Sequence, residues 1–129
     1  MSIDRFKVLF HINDSAKWPV VLTNITNFLN DVGQENPLVE VVANGEGVTP
    51  FGSKPALREQ QKGCSLSRET LETELQRLAA QGVDFAFCRN ALRAQSIPEE
   101  NLPSFIRVVP AGITEIARKQ AEGYAYIKP

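Results

Sequence analysis

The sequence predicts an α/β fold, a three-layer α/β/α sandwich built on a mostly parallel five-stranded sheet. Three observations carry that expectation. Short apolar runs recur along the chain, each closed by turn residues, and segments of helical periodicity stand between them. The first run, Phe6 to Ile12 (FKVLFHI), is apolar at most positions rather than alternating, as a strand covered on both faces requires. Strands separated by helices in 129 residues argue for parallel pairing through right-handed crossovers, within a single domain spanning residues 1–129.

The first strand stops at Asn13, Asp14 and Ser15, all turn formers, and Pro19 suits the first turn of a helix, where its missing N–H costs nothing. Trp18, Val21, Leu22, Ile25, Phe28, Leu29 and Val32 then form one apolar stripe, and Gly33 closes the helix. Leu38 to Ala43 is the second strand. It ends in Asn44, Gly45, Glu46 and Gly47, where two glycines permit unusual backbone angles close to a ligand. From Val48 to Cys64 periodicity is lost among prolines, glycines and the polar Arg58 to Lys62 run, which reads as a mobile or partly helical flap.

Ser67 can cap the next helix, with Leu66 placed to pack on Leu71 across the cap. Leu71, Leu75, Leu78 and Ala79 form its buried stripe, Arg68 can pair with Glu72, and Gly82 supplies the stop. Val83, Phe85 and Phe87 alternate as a strand with Cys88 at its carboxyl end, and Arg89 to Gln95 reads as a short helix. Pro98 opens a helical turn through Leu102, and Phe105 to Val109 is the fourth strand. After the Pro110-Ala111-Gly112 turn, Ile113, Ile116, Ala117, Gln120 and Ala121 share one helical face, Gly123 ends that helix, and Tyr124 to Ile127 is a brief last strand.

Composition excludes several function classes. A formal net charge of −1 with 22% charged residues offers no electrostatic capture of nucleic acid or of an anionic membrane. The opening MSIDRFKVLF lacks the layout of a signal peptide, and no segment reaches membrane-spanning length, so a cytoplasmic protein is expected. Cys64 and Cys88 then read as free thiols rather than a bridge, and they are not a C-x-x-C pair. One histidine, two unrelated cysteines and scattered acids give no metal-ligand spacing, so no metal site is expected. Phosphate-binding glycine signatures are absent and no cofactor is called for.

If the sheet is parallel, its carboxyl rim gathers His11, Asn13, Asp14, Asn44, Gly45, Glu46, Cys88 and Gly112. A helix beginning just after Cys88 points backbone N–H groups at the sulfur, and Arg89 adds a cation, both of which favour a nucleophilic thiolate. The plainer reading of Cys88 is a small buried hydrophobe ending a core strand. His11 stands where a general base or thiolate partner is useful, or where one local hydrogen bond satisfies it structurally.

Five segments in order resemble the DsrE/DsrF-like family of small sulfur-relay proteins, particularly its stand-alone, largely uncharacterised single-domain branch. They are VLFHIND (Val8 to Asp14), TNITNFLND (Thr23 to Asp31), VEVVANGEGV (Val39 to Val48), GVDFAFCRNAL (Gly82 to Leu92) and the closing QAEGYAYIKP from Gln120. The resemblance implies a DsrE-like five-stranded sheet, assembly as a homotrimer or homohexamer, and a sulfur-accepting cysteine after the third strand, the position of Cys88. It also implies that His11 and Gly45 line the pocket around the sulfur and that Asn90 shapes the loop, with a sulfur donor and an acceptor protein as partners. The expected function is a sulfurtransferase-like carrier holding sulfane sulfur as a persulfide on Cys88; the competing expectation is a non-catalytic, oligomeric small-molecule-binding module. Size-exclusion chromatography with light scattering at micromolar concentration is expected to show an assembly heavier than the 14.3 kDa chain, and a single species at that mass refutes it.

Overall fold

The structure, a computed structural model, describes residues 5–52 and 65–129. Five strands, β1 (Lys7–Ile12), β2 (Leu38–Ala43), β3 (Asp84–Cys88), β4 (Ile106–Val109) and β5 (Ala125–Ile127), form one sheet in the order β4-β3-β2-β1-β5. Every neighbouring pair is parallel. Among the described residues four α-helices connect them: α1 (Trp18–Val32), α2 (Arg68–Ala80), α3 (Arg89–Ala94) and α4 (Gly112–Ala121). From β1 to β4 the chain moves one strand at a time in one direction. It then crosses the whole sheet to place β5 beside β1, and a right-handed return of that kind sets α4 on the opposite face from α1 and α2.

The larger core lies under α1 and α2. Phe10, Ile12, Val41, Phe85 and Phe87 from the sheet meet Trp18, Val21 and Ile25 of α1 and Leu71, Leu75 and Leu78 of α2, all buried. Ser67 caps α2 by accepting the Thr70 N–H at 3.1 Å, and Arg68 pairs with Glu72 at 3.2 Å one turn on. Leu66 packs against this same core.

The expected flap is corrected at its start. Residues from Gly45 to Phe51 form a 3-10 turn whose Val48, Thr49, Pro50 and Phe51 are buried. The Phe51 ring meets Phe87 edge-on at 5.3 Å, and Trp18 Nε1 donates to the Gly47 carbonyl at 2.8 Å, so two aromatic side chains draw the segment into the core. Without periodicity, such a turn carries no sequence signal of burial. Residues 53–64, with the Arg58 to Lys62 run and Cys64, lie outside the described residues.

On the second face α4 covers a smaller apolar set, Leu9, Val42, Ala86, Val109 and Ile116, with Tyr124 against it. Ile113, expected on the buried stripe of this helix, is 68% exposed instead. The helix turns Glu115 inward, because a partner waits there: Glu40, 2% exposed in the middle of β2. The two carboxyl groups share a hydrogen bond. Arg107 Nη2 reaches Glu40 at 3.2 Å, Asp84 at 2.8 Å and Glu115 at 3.1 Å, and Lys119 stands 3.7 Å from Glu40 Oε1. Burial first, then the Glu115 hydrogen bond and charge, push Glu40 up from 4.5 to about 8. Glu115 moves below its ordinary value because Glu40 and then Arg107 donate to it. Glu40 therefore holds the shared proton at neutral pH.

The direction of that shift sets a pH dependence. Folded Glu40 keeps a proton that the unfolded chain releases above about 4.5, so its contribution is complete below that pH and is lost as pH climbs to about 8. The Glu115 effect runs oppositely but lies below 4.5, outside this window. Glu40→Gln retains a donor for Glu115 and does not titrate. Urea denaturation from pH 5 to 9 is expected to show a flatter fall in stability for Glu40→Gln than for wild type; identical slopes refute the assignment.

Candidate functional site

The carboxyl ends of β1, β2 and β3 and the amino end of α4 meet on one rim. Asn44 extends the ladder past β2, its N–H donating to the Ile12 carbonyl at 3.0 Å. Gly45 follows with φ of +52°, a left-handed angle that disfavours a side chain, and it is exposed. The loop then folds back over the end of β1 so closely that a Cβ on Gly47 would stand 2.5 Å from the Ile12 carbonyl oxygen. Only glycine fits there. Of the other rim residues, Asp14 caps a 3-10 turn by accepting the Ala16 N–H at 2.9 Å, while Asn13 and Glu46 face solvent.

His11 is buried on the α4 face of β1 with both ring nitrogens engaged. Its Nδ1 is 2.6 Å from the Tyr126 hydroxyl and its Nε2 is 2.8 Å from Asn44 Oδ1. Carboxamide Oδ1 only accepts, so Nε2 carries a hydrogen and donates to it, while Nδ1 and the Tyr126 hydroxyl share the second hydrogen bond. Burial raises Tyr126 above its ordinary value and keeps that hydroxyl protonated.

Cys88 closes β3 and serves as the N-cap of α3, its Sγ accepting the Ala91 N–H at 3.4 Å. The thiol is 6% exposed. Gly112, first residue of α4, brings this cysteine and Asn44 together: a Cβ there would lie 3.2 Å from Asn44 Cβ and 3.3 Å from Cys88 Cβ. His11, Asn44, Tyr126 and Gly112 thus gather on the α4 side of the rim, with the Cys88 Cβ facing Gly112 and the cysteine otherwise packed in the larger core beside α3.

The remaining candidates are placed differently. Arg89 Nε pairs with Glu99 at 2.6 Å and its Nη2 reaches the second carboxylate oxygen at 3.4 Å, so its guanidinium faces Glu99, whose hydrogen bond raises it further. Asn90 is exposed on the first turn of α3 with no hydrogen-bond partner among the described residues. A cavity of about 460 Å³ lies between β4 and α4, lined by Arg107, Val109, Ala111, Thr114 and Arg118, and neither Cys88 nor His11 lines it. Among the described residues no group of His, Cys, Asp and Glu side chains could hold a metal ion, and no helix is long and apolar enough to cross a membrane.

The sequence model of the DsrE/DsrF-like family matches residues 7–129. The chain belongs to the DsrE/DsrF-like family. In architecture this DsrE-like chain is similar to a protein of unknown function from Methanobacterium thermoautotrophicum, MTH1491, whose solved structure superposes with a TM-score of 0.76 at 30% identity. That similarity covers 96% of this chain and 99% of the other. No curated protein matches.

One member of the rim group, Tyr126, carried no sequence signal, and another, Asn44, carried only part of its own. Asn44 was legible as a rim residue but not as the partner of His11, and Tyr126 read only as part of an edge strand. The signal that joins them is strand order: β5 beside β1 sets Tyr126 in register with Leu9, on the same face as His11. Periodicity does not encode that order.

The loop geometry yields a direct check. Gly47→Ala is expected to lose about 1–3 kcal/mol, the usual cost of forcing atoms into a filled space, in urea denaturation. Gly33→Ala, where nothing stands within 4 Å, is the control expected to stay near wild type. Equal stability of the two variants refutes the close approach.

Proposed function

We propose that this DsrE-like protein is a sulfur carrier in which Cys88 receives sulfane sulfur as a persulfide. The family is linked to sulfur relay, and the observation that carries the reading is the position of Cys88. It ends a strand on the carboxyl rim, accepts a helix N–H at its sulfur and stands beside a hydrogen-bonded histidine chain. The Ala91 N–H is placed to hydrogen-bond the sulfur, and the thiolate is the nucleophile in such a transfer.

The reaction balances without an oxidant. The Cys88 thiolate attacks the terminal sulfur of a donor persulfide, R–S–SH; a new S–S bond forms at Sγ as the donor S–S bond breaks, and the electron pair leaves on R–S⁻. Transfer onward to an acceptor thiolate is the same step with Cys88 as leaving group. The carrier works as a homo-oligomer with donor and acceptor proteins as its partners; the 39% exposure of both Tyr126 and Ile127 on edge strand β5 supports a subunit contact there. A second reading, a small-molecule-binding module, is favoured by the cavity between β4 and α4, and in it Cys88 only packs.

Incubation with inorganic polysulfide followed by intact-mass measurement decides between them. Wild type and Cys64→Ser are expected to gain one sulfur that dithiothreitol removes, and Cys88→Ser none. No gain in wild type, or an equal gain in Cys88→Ser, overturns the carrier reading.

A further inference from the structure

We propose that Glu40 and Glu115 form a proton-operated latch: one proton between them holds α4 on the sheet, and its loss releases the helix while the rest of the fold stays closed. The inference is independent of the chemistry assigned to Cys88. Helix α4 depends on such a device because little else holds it. Its buried residues are Gly112, Glu115 and Ile116, so a single buried apolar side chain anchors it. By contrast α1 buries Trp18, Val21, Leu22, Ile25 and Val32, and α2 buries Leu71, Leu75 and Leu78.

The two halves of the latch converge on one atom. Glu40, 2% exposed on β2, and Glu115, 4% exposed on α4, both place Oε2 against Arg107 Nη2, at 3.2 and 3.1 Å. Carboxyl groups brought together in a buried site cannot both hold a charge without strong repulsion. The surroundings leave no spare donor for a second one. On β3, Asp84 takes the same Arg107 nitrogen at 2.8 Å. On β1, Leu9 stands in register with Glu40 and brings no charge, while Lys7 donates to the Glu122 carbonyl. On α4, Lys119 lies 3.7 Å from Glu40 Oε1, beyond hydrogen-bond reach, and also attends Glu122 at 3.6 Å and the Tyr124 ring at 5.2 Å. Glu40 Oε1 has no hydrogen-bond partner among the described residues. Burial is thus the largest cause of the rise of Glu40 to about 8, Glu115 and Asp84 add to it, and Lys119 opposes it.

Release has a path that leaves the larger core alone. Glu115 lines the cavity between β4 and α4 together with Arg107 and Arg118, and the largely exposed Arg118 stands 3.5 Å from Glu115 Oε1. As α4 lifts, Glu115 moves toward water with Arg118 as its counter-ion, and Glu40 gains the hydration that its charge requires. The core under α1 and α2 contains no residue of α4.

Amide hydrogen exchange on the full chain reads the release helix by helix. After correction for intrinsic exchange rates, the amides of residues 115–121 are expected to be less protected than those of α2. Their protection is expected to fall about tenfold from pH 7 to pH 9, the effect of one proton lost from a group held up to about 8. Lys119 and Tyr124 are both raised above their ordinary values and keep their charge states across that range. Glu40→Gln keeps a donor without titrating and is expected to hold constant protection in α4. Glu115→Gln removes the charge facing Glu40 and is expected to move the fall to lower pH. Equal protection of α4 and α2, an equal fall in wild type and Glu40→Gln, or an unmoved fall in Glu115→Gln overturns the latch.

Discussion

Among the described residues one helix, α4, covers the second face of the sheet, and its attachment governs the rim. Helix α4 lies over few apolar residues, so a large part of what holds it is polar: the Glu40–Glu115 hydrogen bond with Arg107 across it. Such a cluster is a demanding fastener. A buried carboxyl group costs free energy unless its charge is removed or matched, and here both happen at once, with a proton on Glu40 and a guanidinium on Glu115. The amino end of the same helix is Gly112, against Asn44 and Cys88. Any shift of α4 along the sheet is therefore felt at the sulfur.

The rim itself is built around a residue that is expensive to bury. An imidazole has two nitrogens to satisfy, and the fold meets both from strands that are adjacent in space but distant in sequence. That arrangement fixes the orientation of the ring in a way that one local hydrogen bond does not. The cysteine beside it is held by its own strand and by α3, so the sulfur and the histidine chain are positioned independently and meet only across Gly112.

Much of this was legible in the residues. Leu38 to Ala43 is a strand at the bounds its composition implies, Ser67 caps its helix, and the α1 stripe from Trp18 to Val32 is the buried face. These elements declare themselves through periodicity and caps, which are local. Glu40 did not, because a carboxylate inside LVEVVA reads as the one solvated position of an otherwise apolar strand; its burial depends on Glu115 and Arg107 from elements far along the chain. Ile113 is exposed and Glu115 buried on α4 for the same reason. At the site, the place of Cys88 was legible from the strand that precedes it. The pairing of Arg89 with Glu99 was not, since nothing local announces which acid a surface arginine will meet.

The bond between His11 and Tyr126 joins residues 115 positions apart. The first strand of the chain is thus completed by its last, and loop-closure entropy makes that pairing a late event in folding. During synthesis β1 to β4 can associate while the histidine still lacks its phenol partner and the β1 edge stands open. The core under α1 and α2 draws on no residue of β5, whereas the arrangement around His11 waits for that strand. Assembly order and chemical competence are in this way tied to a three-residue strand.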